Sequence, residues 1–230
     1  GLGKTLLAVL DHQQLRDETG RAPCLLFLAH RRELLVQAAK TFRRHHRDRG
    51  EHASVGWFAE DRGELGAQLV FASVAKLSRP DHLARLREQH FDYVVVDEVH
   101  HASADSYRRI LDAVGDPGFL LGLTATPDRA DAADVAGLFD DHIAYRADIE
   151  RGVEIKQLVP FHYFGVKDDI DYANIPWRNR RFDPEQLAVA AQTEARMATL
   201  WRAWGEHRGG RTLVFCCSIA HAVFVIVVCI

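Results

Sequence analysis

The chain has 230 residues, enough for one well-filled core and part of a second. Its 47% hydrophobic and 27% charged residues are ordinary for a globular protein. A net charge of -3 and a pI near 6.5 exclude a global basic field, so any polyanion would have to be bound by local Lys and Arg patches.

No stretch approaches the roughly 20 apolar residues that a membrane-spanning helix needs, and no charged-then-apolar leader opens the sequence. The four cysteines form no CxxC pair and have no matching histidine spacing, which argues against a zinc site. Unbridged thiols are typical of a reducing compartment, so we expect a cytoplasmic protein without membrane contact. Because the chain begins at Gly1 inside a motif, we expect it to be a piece of a longer protein.

The first two thirds of the chain alternate between helical patterns and short apolar runs. The residues from Thr5 towards Gly20, a plausible helix C-cap, and the stripe of Leu34, Leu35, Ala38, Ala39 and Phe42 are typical of helices. Almost wholly apolar runs are typical of strands in a parallel sheet that is covered on both faces. The alternation predicts an α/β doubly wound domain. The predicted strands are Cys24 to Ala29, Gln68 to Ser73, Phe91 to Asp97 and Phe119 to Leu123.

The last third of the chain has a different pattern. From Asp168 to Pro184 it is rich in Asp, Asn, Arg and Pro, which predicts an extended surface connector. Pro184 to His207 is predicted to be helical, and Thr212 to Cys216 is predicted to be the strand that opens a second domain. The final residues, Val223 to Ile230, are apolar without a helical period.

Gly1-Leu2-Gly3-Lys4-Thr5 matches the second half of the phosphate-loop pattern GxxxxGK[ST]. In that motif, backbone N–H groups and the N-terminus of the following helix surround a triphosphate. Lys4 would neutralise the β- and γ-phosphates, and the Thr5 hydroxyl would bind Mg²⁺. The alternative for these five residues is an ordinary glycine-rich turn before a helix.

The run Val94-Val95-Val96 ends in two adjacent carboxylates, Asp97 and Glu98. In open α/β sheets, ligands bind beyond the carboxyl ends of the strands. Asp97 would hold Mg²⁺ through water, and Glu98 would act as the general base for attack on the γ-phosphate. The alternative, a solvated strand end, loses weight because the phosphate-loop pattern stands upstream on a chain of strand–helix units.

Thr124-Ala125-Thr126-Pro127 follows the next predicted strand. Two hydroxyls on a loop beside the carboxylates can sense whether a γ-phosphate is present. The alternative is a common threonine-rich turn closed by proline. The Thr124–Pro127 segment comes directly after the strand that follows Asp97 and Glu98, and this position favours the functional interpretation.

The order GLGKT, DEVH, TATP resembles that of superfamily 2 helicases and translocases of the DExH type, in particular the family related to the motor subunits of type I and type III restriction enzymes. FLAHRRELLVQA resembles that family's motif Ia, FASVAKL its motif Ib and RTLVFCCSIAHA its motif IV. The stretches from Gly122 to Arg129 and PFHYFGVKDDIDY are similar too. The resemblance implies a RecA-like P-loop domain at 1–167, a connector and helix at 168–210, and the start of a second RecA-like domain at 211–230.

The resemblance also implies roles for particular residues, with ATP and Mg²⁺ as cofactors. Catalysis would fall to Lys4, Asp97 and Glu98, and the metal to Thr5 and Asp97. Motifs Ia and Ib would contact the nucleic-acid backbone. The residues implied for nucleotide binding are Gly1, Gly3, Lys4, Thr5, His100, Thr124 and Thr126, and those for nucleic acid are His30, Arg31, Arg32 and Ser73.

The implied partner is nucleic acid, duplex DNA by family resemblance, together with a nuclease or methyltransferase subunit or domain. Two departures matter: Ala75 stands where motif Ib usually has Gln, and no stretch resembles motif VI, which supplies the family's arginine finger. We therefore expect this chain to bind Mg·ATP and hardly hydrolyse it. The alternative is a nucleotide-regulated binding module without productive hydrolysis. A phosphate-loop kinase or GTPase is disfavoured, because it would leave DEVH and TATP unexplained.

Overall fold

The computed structural model describes residues 3–99, 104–125, 137–167, 170–178, 181–207 and 209–229. The chain divides into two compact units, Gly1–Val159 and Pro160–Ile230, and each is described here by itself. The domain boundaries that the sequence predicts, at 167 and 210, stay predictions.

The first unit is built on a five-stranded parallel sheet with the order β2-β3-β1-β4-β5. Each of its three middle strands is buried along most of its length, as the apolar runs in the sequence predict. The sheet confirms the predicted α/β fold. The strands are β1 (Leu25–Ala29), β2 (Val55–Phe58), β3 (Leu69–Ser73), β4 (Tyr93–Asp97) and β5 (Phe119–Leu123).

Helices cover both faces of this sheet, because successive residues of each strand point to opposite sides. One core contains Leu26 and Leu28 of β1 and receives the side chains of α3, α4 and α5. The other contains Leu25 and Phe27 of the same strand and receives α1 and α2. The helices are α1 (Lys4–Thr19), α2 (Arg32–Asp48), α3 (Val74–Leu77), α4 (Pro80–Leu86) and α5 (Ala104–Val114), and a short helix follows at Ile149–Glu154.

The edge strand β2 was not predicted from the sequence. It is four residues long, includes Gly56, and follows a polar stretch, so its apolar pattern is weak. Its outer edge is covered by the loop that follows it. There the backbone N–H of Glu64 donates to the carbonyl of Trp57 (2.9 Å), and the backbone N–H of Trp57 donates to the Glu64 carboxylate (3.3 Å). A Cβ at Gly56 would lie 2.9 Å from the carbonyl oxygen of Glu64, so glycine is needed for this close approach.

The second unit contains helices at Pro184–Ala191, Glu194–His207 and Ile219–Cys229 and a two-stranded antiparallel hairpin, Trp177–Arg178 with Arg181–Phe182. The predicted single helix from Pro184 to His207 is therefore two helices. The break is capped by Thr193, whose hydroxyl accepts a hydrogen bond from the backbone N–H of Arg196 (3.3 Å). The predicted connector contains the hairpin and a 3₁₀ turn at Tyr172–Asn174.

Two further predictions for this unit were wrong. Residues 211–216 form no strand, because a strand needs a neighbour for its backbone hydrogen bonds and the described residues supply none here. The apolar end of the chain is helical from Ile219 to Cys229 rather than aperiodic, since a helix satisfies its backbone groups internally. Across the described ranges, no helix is both long and apolar enough to cross a membrane.

Candidate nucleotide and nucleic-acid site

The sequence-predicted site residues that the structure describes lie along the carboxyl edge of the parallel sheet. Ala29 pairs with Ser73, Leu28 pairs with Val96, and Asp97 pairs with Leu123. The residues that follow these strand ends therefore emerge side by side. Three predicted residues, Gly1, His100 and Thr126, lie outside the described residues.

The phosphate-loop residues lead directly into α1. Gly3 has a φ of 84°, the left-handed conformation that glycine adopts readily, and nothing lies within 4 Å of the position its Cβ would take. The first intrahelical bond of α1 joins the Leu7 N–H to the Gly3 carbonyl (2.9 Å), which leaves the earlier amides of the helix without such bonds. The first turn contains no acidic residue and Gly3 provides no side-chain cap, so this helix end favours an anion.

The central contact of the site is an ion pair between Lys4 and Glu98. The Lys4 Nζ donates to the Glu98 Oε1 at 2.8 Å, although 94 residues separate the two in the chain. The side chains are 30% and 22% exposed. The structure thus brings the phosphate-loop lysine and the predicted general base together.

Asp97 ends β4 and is 5% exposed. Its burial raises the pKa of the carboxyl above the ordinary value, and the neighbouring Glu98 charge raises it further, with Lys4 acting in the opposite direction. The Asp97 Oδ1 accepts a hydrogen bond from the Glu98 N–H at 3.0 Å. Glu98 has a φ of 48°, a left-handed conformation that is uncommon for a residue with a side chain.

The two hydroxyl residues predicted for the nucleotide lie at this same edge. Thr5 is half-buried in the first turn of α1, next to Lys4. Thr124 is half-buried and follows β5 directly, one position beyond the Asp97–Leu123 pair. Thr5 stands where the resemblance implies a metal ligand, and Thr124 stands where it implies a γ-phosphate sensor. Both roles stay predictions.

The four residues predicted for nucleic acid follow β1 and β3. His30 and Arg31 join β1 to α2, Arg32 begins α2, and Ser73 ends β3, as the sequence predicts. Arg31 and Arg32 are exposed, and the Arg32 Nε lies 3.2 Å from a carboxylate oxygen of the equally exposed Glu60. This ion pair is exposed and contributes about 0 to 1 kcal/mol, so it leaves Arg32 available to a phosphate.

Sequence reasoning missed Tyr107 of α5, which packs against His30 at this edge from the α5 side of the sheet. Its ring packs edge-on against His30, with centroids 5.9 Å apart and an interplanar angle of 87°. Tyr107 is 1% exposed; burial raises the pKa of its phenol, and the Asp97 charge adds to the effect. Within the described residues its hydroxyl has no hydrogen-bond partner. An aromatic residue on an apolar helix stripe gives no sequence signal that separates it from ordinary core.

The residues present fit a magnesium–nucleoside triphosphate. The open N-terminus of α1 with Lys4 suits a polyphosphate, and a buried Asp97 beside Glu98 suits a hard cation that would offset their mutual repulsion. Thr5 and Asp97 would hold Mg²⁺, and Lys4 would hold the phosphates.

Two of the curated proteins to which the chain is similar come from fungi. The chain is 31% identical over 205 residues to the "Putative mitochondrial ATP-dependent helicase irc3" of Schizosaccharomyces pombe, covering 86% of this chain and 33% of that protein. It is 28% identical over 185 residues to the "Putative ATP-dependent helicase IRC3" of Saccharomyces cerevisiae, covering 76% and 26%. The chain thus spans about one third or less of the length of these relatives.

Among solved structures, the UvsW helicase of bacteriophage T4 is similar with a TM-score of 0.47 and 17% identity, over 59% of this chain and 48% of that one. The Sulfolobus solfataricus SWI2/SNF2 ATPase core, solved with dsDNA, has a TM-score of 0.45 and 23% identity, over 59% and 29%. Residues 1–129 match the family described as "Type III restriction enzyme, res subunit". This match confirms the resemblance carried by the motifs: the chain belongs to the type III restriction enzyme res subunit family, within the superfamily 2 helicases.

Proposed function

We propose that this chain is the nucleotide-binding part of an ATP-dependent translocase or helicase that acts on nucleic acid, with duplex DNA as its track. The observation that carries the proposal is the Lys4–Glu98 contact of 2.8 Å. It joins a phosphate-binding lysine to a carboxylate that can activate water, at the edge of the sheet where α/β proteins bind ligands.

The residues at this edge divide the work of nucleotide binding and hydrolysis. The α1 amides and Lys4 hold the triphosphate, Thr5 and Asp97 hold Mg²⁺, and Glu98 takes the proton of the attacking water. Bound Mg²⁺ would neutralise charge on the phosphates. Because Lys4 donates to Glu98 in this structure, phosphate oxygens must compete with Glu98 for the ammonium group.

Nucleic acid would lie across the neighbouring strand ends. His30, Arg31, Arg32 and Ser73 follow β1 and β3, which are adjacent in the sheet, so they present cations and a hydroxyl along one line. Tyr107 contacts His30 and is close enough to Asp97 for the two to interact electrostatically. It thereby offers a path between the nucleic-acid side and the nucleotide side of the edge.

We further propose that this chain alone binds Mg·ATP and turns it over slowly. No stretch of the sequence resembles the motif that supplies the family's arginine finger, and the Lys4–Glu98 bond holds the general base in an ion pair. This bond is also what favours the second candidate function, a nucleotide-regulated binding module. Steady turnover of about 1–100 s⁻¹, which intact motors reach, would contradict slow hydrolysis.

The test is a titration with a fluorescent ATP analogue and Mg²⁺ on four proteins: wild type, Lys4→Ala, Glu98→Gln and the control Lys40→Ala. Lys4→Ala should abolish saturable binding. Glu98→Gln should bind about tenfold more tightly, because it releases Lys4 and removes a negative charge facing the phosphates. Lys40 is an exposed lysine of α2, and its loss should leave nucleotide binding unchanged. Equal binding by wild type and Lys4→Ala would overturn the proposal.

A further inference from the structure

Helix α2 has a line of cations along one side that motif Ia does not account for. At about 100° per residue, residues 32, 36, 40, 43 and 47 fall within an arc of about 80°. Four of them are basic, and all five are exposed. We call this set, Arg32, Val36, Lys40, Arg43 and Arg47, the α2 stripe.

The stripe lies on the solvent side of the helix. The buried residues of α2, Leu35, Ala38, Ala39, Phe42 and His46, lie on a separate arc of the helix beside the stripe, and the four apolar ones pack into the core shared with α1. The acidic residues of α2, Glu33 and Asp48, fall outside the arc, and Asp48 lies 3.7 Å from the off-stripe Arg44. The stripe thus concentrates positive charge on a chain whose net charge is -3.

The three C-terminal cations of the stripe form no ion pair within the described part of the chain. Arg32 pairs with Glu60, whereas Lys40, Arg43 and Arg47 form no ion pair with any residue in the described ranges. Solvated cations with no partner in the fold do not contribute to its stability through pairing. Their aligned charges are therefore available to an external anion.

The far end of the stripe has a surface cavity. Arg43 and Arg47 line it together with His52 and Ala53, which precede β2, and its volume is about 280 Å³. The acid that also lines it, Glu51, is already bound by Arg16 (2.8 Å), His46 (3.0 Å) and Arg49 (3.1 Å). Its charge is therefore satisfied within the fold, which leaves the cations facing the cavity to an outside ligand.

The geometry points to a second nucleic-acid contact surface: the α2 stripe binds the phosphate backbone of the same nucleic acid that His30, Arg31 and Arg32 meet at the strand ends. The inference rests on the proposed function and extends it away from the edge of the sheet. Arg32 and Arg47 are separated by about 22 Å along the helix axis, at a rise of about 1.5 Å per residue. One strand of a duplex presents a phosphate about every 3.4 Å of axis, so the stripe spans about six.

Charge complementarity selects this occupant. A phosphate backbone is a regular row of anions, and the stripe is a row of long, mobile cations in which Lys40, Arg43 and Arg47 follow one another at about one helical turn and Arg32 lies about two turns before Lys40. It carries no aromatic residue for base stacking, and its apolar member is Val36 alone. The contact should therefore be insensitive to base sequence and sensitive to salt.

The experiment is a salt titration of binding, measured by fluorescence anisotropy with a labelled 30-base-pair duplex and the matching single strand. The stripe variant combines Lys40→Gln, Arg43→Gln and Arg47→Gln. The control variant combines Arg87→Gln, Arg108→Gln and Arg109→Gln. These arginines are exposed on α5 and at the end of α4, on the opposite face of the sheet. Each of the two variants removes three positive charges.

For the stripe variant we expect the slope of log K against log salt to fall by about 2 to 3, at about 0.7 to 0.9 per phosphate contact, with duplex affinity about tenfold weaker or more at low salt. The control should keep the wild-type slope within about 0.5. Circular dichroism confirms that each variant is folded.

Wild-type slopes in a folded stripe variant would overturn the inference and leave the proposed function standing. Equal losses in both variants would also overturn it, because the effect would then be one of net charge. If wild-type protein binds neither nucleic acid, both the inference and the nucleic-acid part of the proposed function fail. Binding to vesicles of anionic phospholipid without binding to DNA would assign the stripe to a lipid surface instead.

Discussion

The two ends of the parallel sheet each contain a buried aspartate, and the pKa values of the two carboxyls are shifted in opposite directions. At the amino end, Asp92 is 7% exposed and accepts hydrogen bonds from Arg21 (2.6 Å), the Cys24 N–H (2.8 Å) and His90 (3.2 Å). Burial raises the pKa of Asp92, but these bonds outweigh it, so the pKa lies below its ordinary value. At the carboxyl end, Asp97 is as deeply buried, and its pKa is raised.

This contrast separates stability from function within one sheet. At the amino end, Tyr93 donates to Asp11, and His12 lies 3.2 Å from the Pro23 carbonyl. The carboxyl end places two carboxylates side by side and leaves the Tyr107 hydroxyl without a partner within the described residues. Unfavourable electrostatics at one edge are typical of a site arranged for a ligand rather than for folding.

The largest expected effect concerns pH at the amino end. His12 is 1% exposed, and burial lowers its pKa from 6.5 to about 4. Between these values the unfolded chain binds a proton that the folded chain does not, so stability is full above pH 6.5 and is lost as the pH falls. Between pH 6.5 and pH 4 the free energy of unfolding should decrease by about 1.4 kcal/mol per pH unit, or by about 3 kcal/mol in all.

Urea denaturation between pH 7 and pH 4 measures this dependence. His12→Phe, which keeps the aromatic shape, should make it shallower, while His46, whose pKa is also lowered by burial, keeps part of it. His52→Gln, at an exposed histidine, should leave it as in the wild type. An unchanged slope in His12→Phe would show that another group carries the pH dependence.

A matched pair of isosteric changes compares the two buried aspartates. Asp92→Asn should lower the free energy of unfolding by about 2 to 3 kcal/mol, since one amide oxygen cannot replace a carboxylate that accepts three hydrogen bonds. Asp97→Asn should leave stability unchanged or raise it by about 0.5 to 1 kcal/mol, because it removes repulsion from Glu98. Urea denaturation at pH 7 measures both. Equal losses would show that the two ends do not differ in this way.

The smallest effect concerns two buried tyrosines. Tyr93→Phe should cost about 1 to 2 kcal/mol, because the phenol donates to Asp11. Tyr107→Phe should cost nothing or stabilise by up to about 1 kcal/mol, since it removes a buried hydroxyl without a partner in the described part of the chain. Denaturation of both variants under one condition tests the difference, and a clear loss in Tyr107→Phe would contradict it.

The sequence predicted the sheet where apolar runs were uninterrupted, as in β1, β3, β4 and β5. It missed β2, whose four residues include a glycine, and it predicted a strand at Thr212 to Cys216 that lacks a neighbour to pair with. Strand formation depends on partners that a local pattern does not contain.

The site was predicted better than the second unit, because its residues belong to motifs at the ends of predictable strands. Lys4, Asp97, Glu98 and Thr124 could be placed at one edge from the order of strands and helices. The direct bond between Lys4 and Glu98 could not, since it depends on side-chain geometry across 94 residues. The contact of Tyr107 with His30 likewise arises only from packing between α5 and the end of β1.

The loop that covers β2 has a consequence for how this sheet can grow. Glu64 already occupies the outward-facing backbone groups of Trp57, so that side presents no free run of donors and acceptors to another chain. On the other side, β5 pairs with β4 alone among the described residues, and Phe119 is 50% exposed there. Any strand added to this sheet, from a neighbouring stretch of polypeptide or during aggregation, should therefore join beside β5.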